Sequence, residues 1–131
     1  MQGEERCIIA LGSNTDASRH LSEARALLQS HFPSIRFSTP LQTQPIGLSN
    51  PSLFINQTAV LHTSLTQTET TQLLKDIEAA CANPPKDKPH ERIYIDIDLL
   101  QYGSQVLKPE DLEREYIIEG IAELMKNNKI L

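Results

Sequence analysis

The hydrophobic and polar positions change period several times along the chain, and each change marks the start of a predicted element. Residues 6–11 form a nearly continuous apolar run, which is typical of a short strand buried on both faces. Leucine and alanine then recur at helical spacing over 21–28. Asp16 or Ser18 is placed to cap this helix, and Pro33 ends it. The pattern therefore predicts a buried strand followed by an amphipathic helix.

The middle of the chain predicts two more strands and a second helix. Residues 35–43 are rich in β-branched and aromatic side chains but include a proline, which favours a strand near a sheet edge. A loop over 44–52 leads to a longer predicted strand over 54–63. The capping-box pattern at 66–69 then opens a helix whose apolar positions extend to Cys81.

The run over 94–100 is the most informative, because it carries two carboxylates at alternate positions of a predicted strand. Successive side chains of a strand point to opposite faces, so Asp96 and Asp98 are expected to project together, beside Tyr94. Adjacent carboxylates repel each other, and hard oxygen ligands suit Mg²⁺ held against phosphates. The same pattern also fits an edge strand whose polar face is simply exposed to solvent. The side chains expected to face the core are Ile93, Ile95, Ile97 and Leu99.

The order of the elements predicts the fold. A final helix is expected from about Pro109. The succession is then strand, helix, strand, strand, helix, strand and helix, which predicts an α+β fold with a ferredoxin-like β-α-β-β-α-β sheet. Both crossover helices should pack on one face, and the C-terminal helix is available for the other. We expect a single domain over 1–131. The apolar stripe of the last helix is Leu112, Tyr116, Ile117, Ile121 and Leu124.

The composition narrows the class of protein. The formal net charge of -5 and the pI near 5.3 argue against binding to a nucleic-acid backbone. We expect no membrane partner, because no run approaches the ~18 apolar residues of a membrane span and the first residues show no signal-peptide pattern. Cys7 and Cys81 are expected to be buried thiols rather than a disulfide or a metal pair. A cytoplasmic location and a monomeric state are the corresponding expectations.

Four short motifs follow one another along the chain. They are Ala10-Leu11-Gly12-Ser13-Asn14, then Thr43-Gln44-Pro45-Ile46-Gly47 before Phe54-Ile55-Asn56, then Ile77-Glu78, and finally Ile95-Asp96-Ile97-Asp98-Leu99-Leu100 before Tyr102-Gly103. Together they resemble the 6-hydroxymethyl-7,8-dihydropterin pyrophosphokinases of the folate pathway. The resemblance covers roughly residues 7–124. It implies transfer of the β,γ-pyrophosphate of ATP to the hydroxymethyl group of the pterin, with two Mg²⁺ ions.

The resemblance also implies roles for individual residues. Asp96 and Asp98 would hold the metal ions, and Arg92 and Arg114 would be the catalytic cations near the phosphates. Phe54 would offer an aromatic face for stacking, although ordinary core is the simpler interpretation without the resemblance. The pterin site would comprise Thr43, Gln44, Ile46, Phe54, Asn56 and Tyr116. The nucleotide site would comprise Glu78, Lys86, Leu99 and Lys108.

The segment before the acidic strand departs from the family pattern. That pattern reads Gly-Arg-x-Arg and then Arg-Trp-Gly-Pro-Arg, whose arginines clamp ATP, whereas this chain has Asn83, His90 and Ile93 at three of those positions. Arg92 is one residue out of register, and such a slip reverses the face of a strand side chain unless a bulge re-aims it. Lys86 keeps a charge nearby, but an ammonium does not reproduce a guanidinium fork.

Three functions remain open on the sequence alone. The leading interpretation is the pyrophosphokinase reaction with ATP and Mg²⁺, which the pair Asp96 and Asp98 favours. A catalytically impaired pterin- or nucleotide-binding module is the alternative that the arginine-poor segment over 83–93 favours. A structural interaction domain that uses neither ligand is the third.

Overall fold

The computed structural model describes residues 3–43, 54–81 and 92–127. Six strands and four helices lie within these ranges. In chain order they are β1 Glu5–Ser13, α1 Ala17–His31, β2 Arg36–Phe37, β3 Leu41–Thr43, β4 Phe54–Thr63, α2 Gln67–Cys81, β5 Asp96–Tyr102, β6 Gln105–Val106, α3 Pro109–Leu112 and α4 Glu115–Asn127.

The strands form one antiparallel sheet in the order β2-β4-β1-β5-β6, and β3 also pairs with β4. The predicted α+β class, with helices packed on a sheet, is confirmed. The prediction of one strand over 35–43 is wrong: Ser38 N still donates to Thr58 O, but side chains take the other backbone hydrogen bonds between β2 and β3. Ser38 Oγ accepts the N–H of Thr58, and the N–H of Thr39 donates to the carboxylate of Glu123. Pro40 has no N–H to donate.

Helices α1 and α2 pack on the same face of the sheet, as predicted, and enclose the larger apolar core. The predicted capping box of α2 is also confirmed: Thr66 N donates to Glu69 Oε1 at 2.9 Å, and Glu69 N donates to Thr66 Oγ1 at 3.1 Å. Asp16 occupies the N-cap position of α1, one of the two predicted, but its side chain makes no cap hydrogen bond. Asp16 lies in the left-handed region (φ 48°) and accepts a hydrogen bond from Arg19 Nε instead. Buried members of this core include Cys7, Ile9, Leu11, Leu21, Leu28, Leu61, Leu74, Ile77, Ile97 and Leu99.

Helix α4 packs on the opposite face of the sheet. Its approach to β4 is close, because a Cβ on Gly120 would lie 2.5 Å from Thr58 Oγ1. The predicted single helix from Pro109 is wrong, since the turn after α3 is tightened by bonds from Glu113 N to Glu110 O and from Arg114 N to Asp111 O. The predicted apolar stripe is confirmed. It packs with Ile8, Val60 and Leu100 and consists of Leu112, Tyr116, Ile117, Ile121 and Leu124.

Strand β5 begins at Asp96, later than predicted. Two hydrogen bonds join Asn14 and Ile93. Asn14 N donates to Ile93 O at 2.9 Å, and Ile93 N donates to Asn14 Oδ1 at 2.6 Å. The chain bends at Tyr94, and the alternation expected there is lost. Tyr94 packs in the α1/α2 core, with its ring centroid 5.4 Å from that of His20, so its predicted place beside the aspartates is wrong. The predicted core-facing orientation of Ile93 is also wrong.

Both cysteines are buried free thiols, as expected. Burial is the main cause that raises the pKa of Cys7 to about 11, which keeps this thiol protonated and unreactive at neutral pH. In the part of the chain that the structure describes, no helix combines the length and apolar character needed to cross a membrane.

Candidate functional site

A pocket of about 260 Å³ lies between the sheet and helices α3 and α4. Three central strands, the short strand β3 and both C-terminal helices supply its walls. The lining residues are Ala10, Leu11, Gly12, Thr43, Phe54, Asn56, Ile93, Asp96, Asp98, Leu100, Asp111, Arg114, Tyr116 and Ile117.

One wall of the pocket is uncharged. Phe54 and Asn56 alternate on β4 and therefore project from the same face. Asn56 pairs with Gly12 across the sheet, and its Nδ2 donates to Thr43 Oγ1. A Cβ on Gly12 would lie 3.1 Å from Asn56 Oδ1, so the absence of a side chain at residue 12 leaves room for that amide. Tyr116, from the start of α4, is the second aromatic residue of the lining.

Tyr116 is half-buried, and burial is the main cause that raises the pKa of its phenol, although the nearby Arg114 charge opposes this. The phenol is therefore neutral at physiological pH. A neutral hydroxyl can both donate and accept a hydrogen bond, and its ring presents an apolar face. This side chain suits a flat polar heterocycle.

The second wall carries Asp96 and Asp98, which both line the pocket and lie on the other side of β1 from Asn56, on the same face of the sheet. They pair with Gly12 and Ala10 of β1, two alternate positions on one face. Within residues 3–43, 54–81 and 92–127, no group of three or more His, Cys, Asp and Glu side chains is arranged to hold a metal. Two carboxylates fit a Mg²⁺ ion that takes its other ligands from water and phosphate.

Asp98 has a cationic partner that sequence reasoning missed. Lys75, on α2, donates from Nζ to Asp98 Oδ1 at 3.1 Å, to Ile97 O at 2.7 Å and to Glu78 Oε1 at 3.0 Å. Glu78 Oε1 also accepts the N–H of Ile97 at 2.8 Å. The only sequence signal is the spacing of Lys75 and Glu78, which places the two side chains on one face of the helix.

The pKa of Lys75 reflects these contacts. Partial burial lowers it, but the charge of Asp98 and the hydrogen bonds to Glu78 and Asp98 outweigh that effect and leave the pKa raised. Lys75 is therefore a cation throughout the physiological pH range. Its position at the edge of β5 gives the acidic wall a fixed positive charge.

Arg114 is a cation of the pocket lining itself. Its Nε donates to Asp111 Oδ1 at 3.1 Å, and this hydrogen bond is the main cause that raises the guanidinium pKa. Asp111 also lines the pocket, so the arginine that faces the cavity already has a carboxylate partner. A phosphate that binds Arg114 has to compete with that partner.

Other predicted site residues lie elsewhere. Arg92 and Lys108 are exposed and outside the lining, whereas Ile93, at the position where the family pattern has an arginine, is part of it. Leu99 packs in the α1/α2 core, and Glu78 lies between α2 and β5. Gln44, Ile46, Asn83, Lys86 and His90 are outside the described residues.

The chain was compared with known proteins. A 2-amino-4-hydroxy-6-hydroxymethyldihydropteridine pyrophosphokinase from Bacillus subtilis (strain 168) is 28% identical over 127 residues, which cover 88% of this chain and 75% of the relative. A solved hydantoinase/carbamoylase family amidase from Burkholderia ambifaria aligns with 10% identity and a TM-score of 0.44, over 78% of this chain and 29% of that one. A Bacillus subtilis dinuclear metal binding peptidase of the M20 family gives 8% identity and a TM-score of 0.39, over 79% and 26%.

The chain thus spans less than a third of either solved structure. The family model for 7,8-dihydro-6-hydroxymethylpterin-pyrophosphokinase matches residues 8–126, from β1 to α4. This match includes every described residue of the pocket lining. The chain belongs to the 7,8-dihydro-6-hydroxymethylpterin-pyrophosphokinase family.

Proposed function

We propose that this protein transfers pyrophosphate from ATP to 6-hydroxymethyl-7,8-dihydropterin in folate biosynthesis. The observation that carries the proposal is one pocket with two chemically different walls. An uncharged wall with Asn56 and Phe54 lies beside the acidic wall of Asp96 and Asp98, and Tyr116 lines the same pocket. The first wall suits a flat heterocycle, and the second suits metal-bound phosphates. Family membership supports the same reaction.

The uncharged wall would bind the pterin. Asn56 offers amide donors and an acceptor to the pyrimidine-like edge, and Thr43 already holds that amide in place. Phe54 and Tyr116 would stack on the ring or border it. Gln44 and Ile46 would complete the site, by the family resemblance.

Asp96 and Asp98 would hold Mg²⁺, two ions by the family pattern, and these ions supply charge neutralisation to the phosphates when bound. Arg114, which also lines the cavity, would meet the negative charge of the transferring group. Lys86 and Lys108 would approach the nucleotide from outside the lining. Glu78 would act indirectly, by accepting the N–H of Ile97 and so holding β5.

The bond changes of the reaction are simple. The hydroxymethyl oxygen of the pterin bonds to the β-phosphorus of ATP, and the bond from that phosphorus to the oxygen bridging to the α-phosphorus breaks. The hydroxyl proton passes to solvent, and AMP leaves. The protein has to position the two substrates and neutralise charge, which is what the two walls are suited to do. We expect the protein to work as a monomer in the cytoplasm.

Release of AMP from ATP, Mg²⁺ and the hydroxymethyl pterin tests the proposal. We expect activity in wild type and a loss of at least ~10²-fold in Asp96→Asn and Asp98→Asn, because each removes a metal-binding charge. Asp76→Asn is the matched control, since it removes the same charge from an exposed position of α2. Equal activity of all four proteins would contradict the assignment of the acidic wall.

A second candidate is a pterin- or nucleotide-binding module without catalysis. The observation that favours it is Ile93, an apolar residue in the lining where the family pattern has an arginine. Calorimetry separates the two functions. Binding of the pterin or of an ATP analogue without AMP release would favour the module, and the absence of binding of both ligands at millimolar concentration would contradict both functions.

A further inference from the structure

We propose that Lys75 is a positioning residue that holds Asp98 and makes divalent-cation binding depend on the nucleotide. The inference deepens the proposed function, because it rests on Asp96 and Asp98 as the metal-binding pair. Lys75 itself lies on α2, outside the pocket lining, and acts through the strand that carries both aspartates.

The ammonium group of Lys75 is fixed in place. A lysine has three N–H donors, and Nζ has three acceptors: Glu78 Oε1, Ile97 O and Asp98 Oδ1, all within 3.1 Å. The helix sets the base of the side chain, and the three acceptors set its end. The three hydrogen bonds favour this position of the charge when a second cation approaches Asp98, even though 40% of the Lys75 side chain is exposed.

Lys75 and Glu78 also hold the backbone between the two aspartates. The C=O of Ile97 accepts from Lys75, and its N–H donates to Glu78, while the Ile97 side chain is fully buried in the α1/α2 core. Ile97 is the residue that spaces Asp96 from Asp98. The pair on α2 therefore fixes the separation and direction of the two carboxylates.

The consequence for metal binding is electrostatic. One oxygen of Asp98 is bonded to Lys75, so a cation at this carboxylate uses the other oxygen and meets an ammonium only a few ångströms away. Like charges at that range repel, although partial exposure reduces the effect. The phosphates of a nucleotide bring enough negative charge to overcome it. Lys75 thus weakens binding of the bare ion more than binding of the ion with nucleotide.

Mn²⁺ binding, counted by electron paramagnetic resonance with and without α,β-methylene-ATP, tests the inference. Wild type should bind Mn²⁺ weakly alone and much more tightly with the analogue. Lys75→Met should tighten binding of the bare ion by about fivefold or more and change binding with the analogue less, because the repulsive charge is gone. Lys75→Gln, which keeps hydrogen-bonding capacity without charge, should act in the same direction, and Lys75→Arg should stay near wild type.

Two comparisons make the test specific. Lys126→Met removes a charge from the exposed face of α4 and should leave both affinities unchanged. In an Asp98→Asn background, Lys75→Met should lose most of its effect on the bare ion, because the two residues act as a pair.

The inference is overturned if Lys75→Met and Lys75→Gln leave the ratio of the two Mn²⁺ affinities unchanged while circular dichroism shows both folded. Failure of the proposed function has a different signature. Wild type that binds Mn²⁺ with the analogue but releases no AMP would contradict the reaction and leave the role of Lys75 intact. Wild type that binds no Mn²⁺ even with the analogue would overturn both.

Discussion

The two walls of the pocket differ in the partners that their polar side chains already have. On the uncharged wall, Asn56 is held by the neutral hydroxyl of Thr43, and a ligand can meet the amide without breaking an ion pair. On the charged wall, Asp98 is paired with Lys75 and Arg114 with Asp111. A pterin therefore finds a ready surface, whereas a polyphosphate has to compete with Asp111 for Arg114. Pterin binding should be insensitive to salt, and nucleotide binding should be salt-sensitive.

The largest expected effect lies on the charged wall. Arg114→Gln should lower kcat/KM by ~10²–10³, because an arginine that meets developing phosphoryl charge is typically worth ~10³–10⁵ in turnover and the neutral amide recovers little of that. Arg36→Gln is the matched control and should change kcat/KM by less than about threefold, since Arg36 is exposed on the edge strand β2 and lies outside the lining. Equal losses in the two variants of the AMP-release assay would contradict this difference.

The next effect separates the two walls. Asn56→Leu should weaken pterin binding by roughly 1–3 kcal/mol, because it leaves buried polar groups of the ligand unpaired. Binding of an ATP analogue with Mg²⁺ should be unchanged in the same variant. Calorimetry with each ligand measures both values. If Asn56→Leu weakens both ligands alike, the walls are coupled rather than independent.

A change outside the pocket lining tests how α4, which carries Tyr116, is held on the sheet. Gly120→Ala places a Cβ 2.5 Å from Thr58 Oγ1, and the shift this forces between α4 and β4 should destabilise the fold by about 1–2 kcal/mol despite the better helix propensity of alanine. Urea unfolding measures the change. The double variant Gly120→Ala/Thr58→Ala should recover only part of the loss, because it removes the obstructing hydroxyl but keeps the Thr58 Cβ, which would lie 2.7 Å from the new Cβ. A double variant less stable than Gly120→Ala would show that the contact is not the cause.

The smallest expected effect concerns the ion pair inside the pocket. Asp111→Asn frees Arg114 from a charged competitor and should tighten nucleotide binding by about twofold to fivefold, with a steeper dependence on salt. Pterin affinity should not change. Glu119→Gln, at an exposed position of α4, removes a charge from the same helical region as a control. Weaker nucleotide binding in Asp111→Asn would mean that Asp111 orients Arg114 rather than competing for it.

The parts of the fold that were predictable are those that local periodicity specifies. Strand β4 has the bounds that the sequence indicated, and the capping box of α2 forms as its four residues require. The split between β2 and β3 depends on Thr39, whose N–H is taken by Glu123 from a distant helix. A bond between residues so far apart in the chain leaves no local signal.

The candidate site also has one part that local periodicity predicts and one part that depends on residues distant in the sequence. Strand alternation was enough to bring Asp96 and Asp98 to one pocket. It failed two residues before Asp96. There Asn14, the residue that follows β1, forms hydrogen bonds with Ile93, and the backbone bends at Tyr94. Lys75 was missed for a related reason. Its hydrogen bond to Asp98 joins residues that are 23 positions apart in the sequence, so no local pattern indicates it.

The close contact of Gly120 with Thr58 has a thermodynamic consequence. The helix docked by that contact also carries Tyr116 and Ile117, two lining residues of the pocket. A ligand that binds the docked helix and not the unfolded chain adds its binding free energy to the stability of the protein, by about 2.7 kcal/mol at one hundred times its dissociation constant. The melting temperature should therefore rise with the logarithm of pterin concentration, and a thermal shift would report occupancy of the pocket without any turnover.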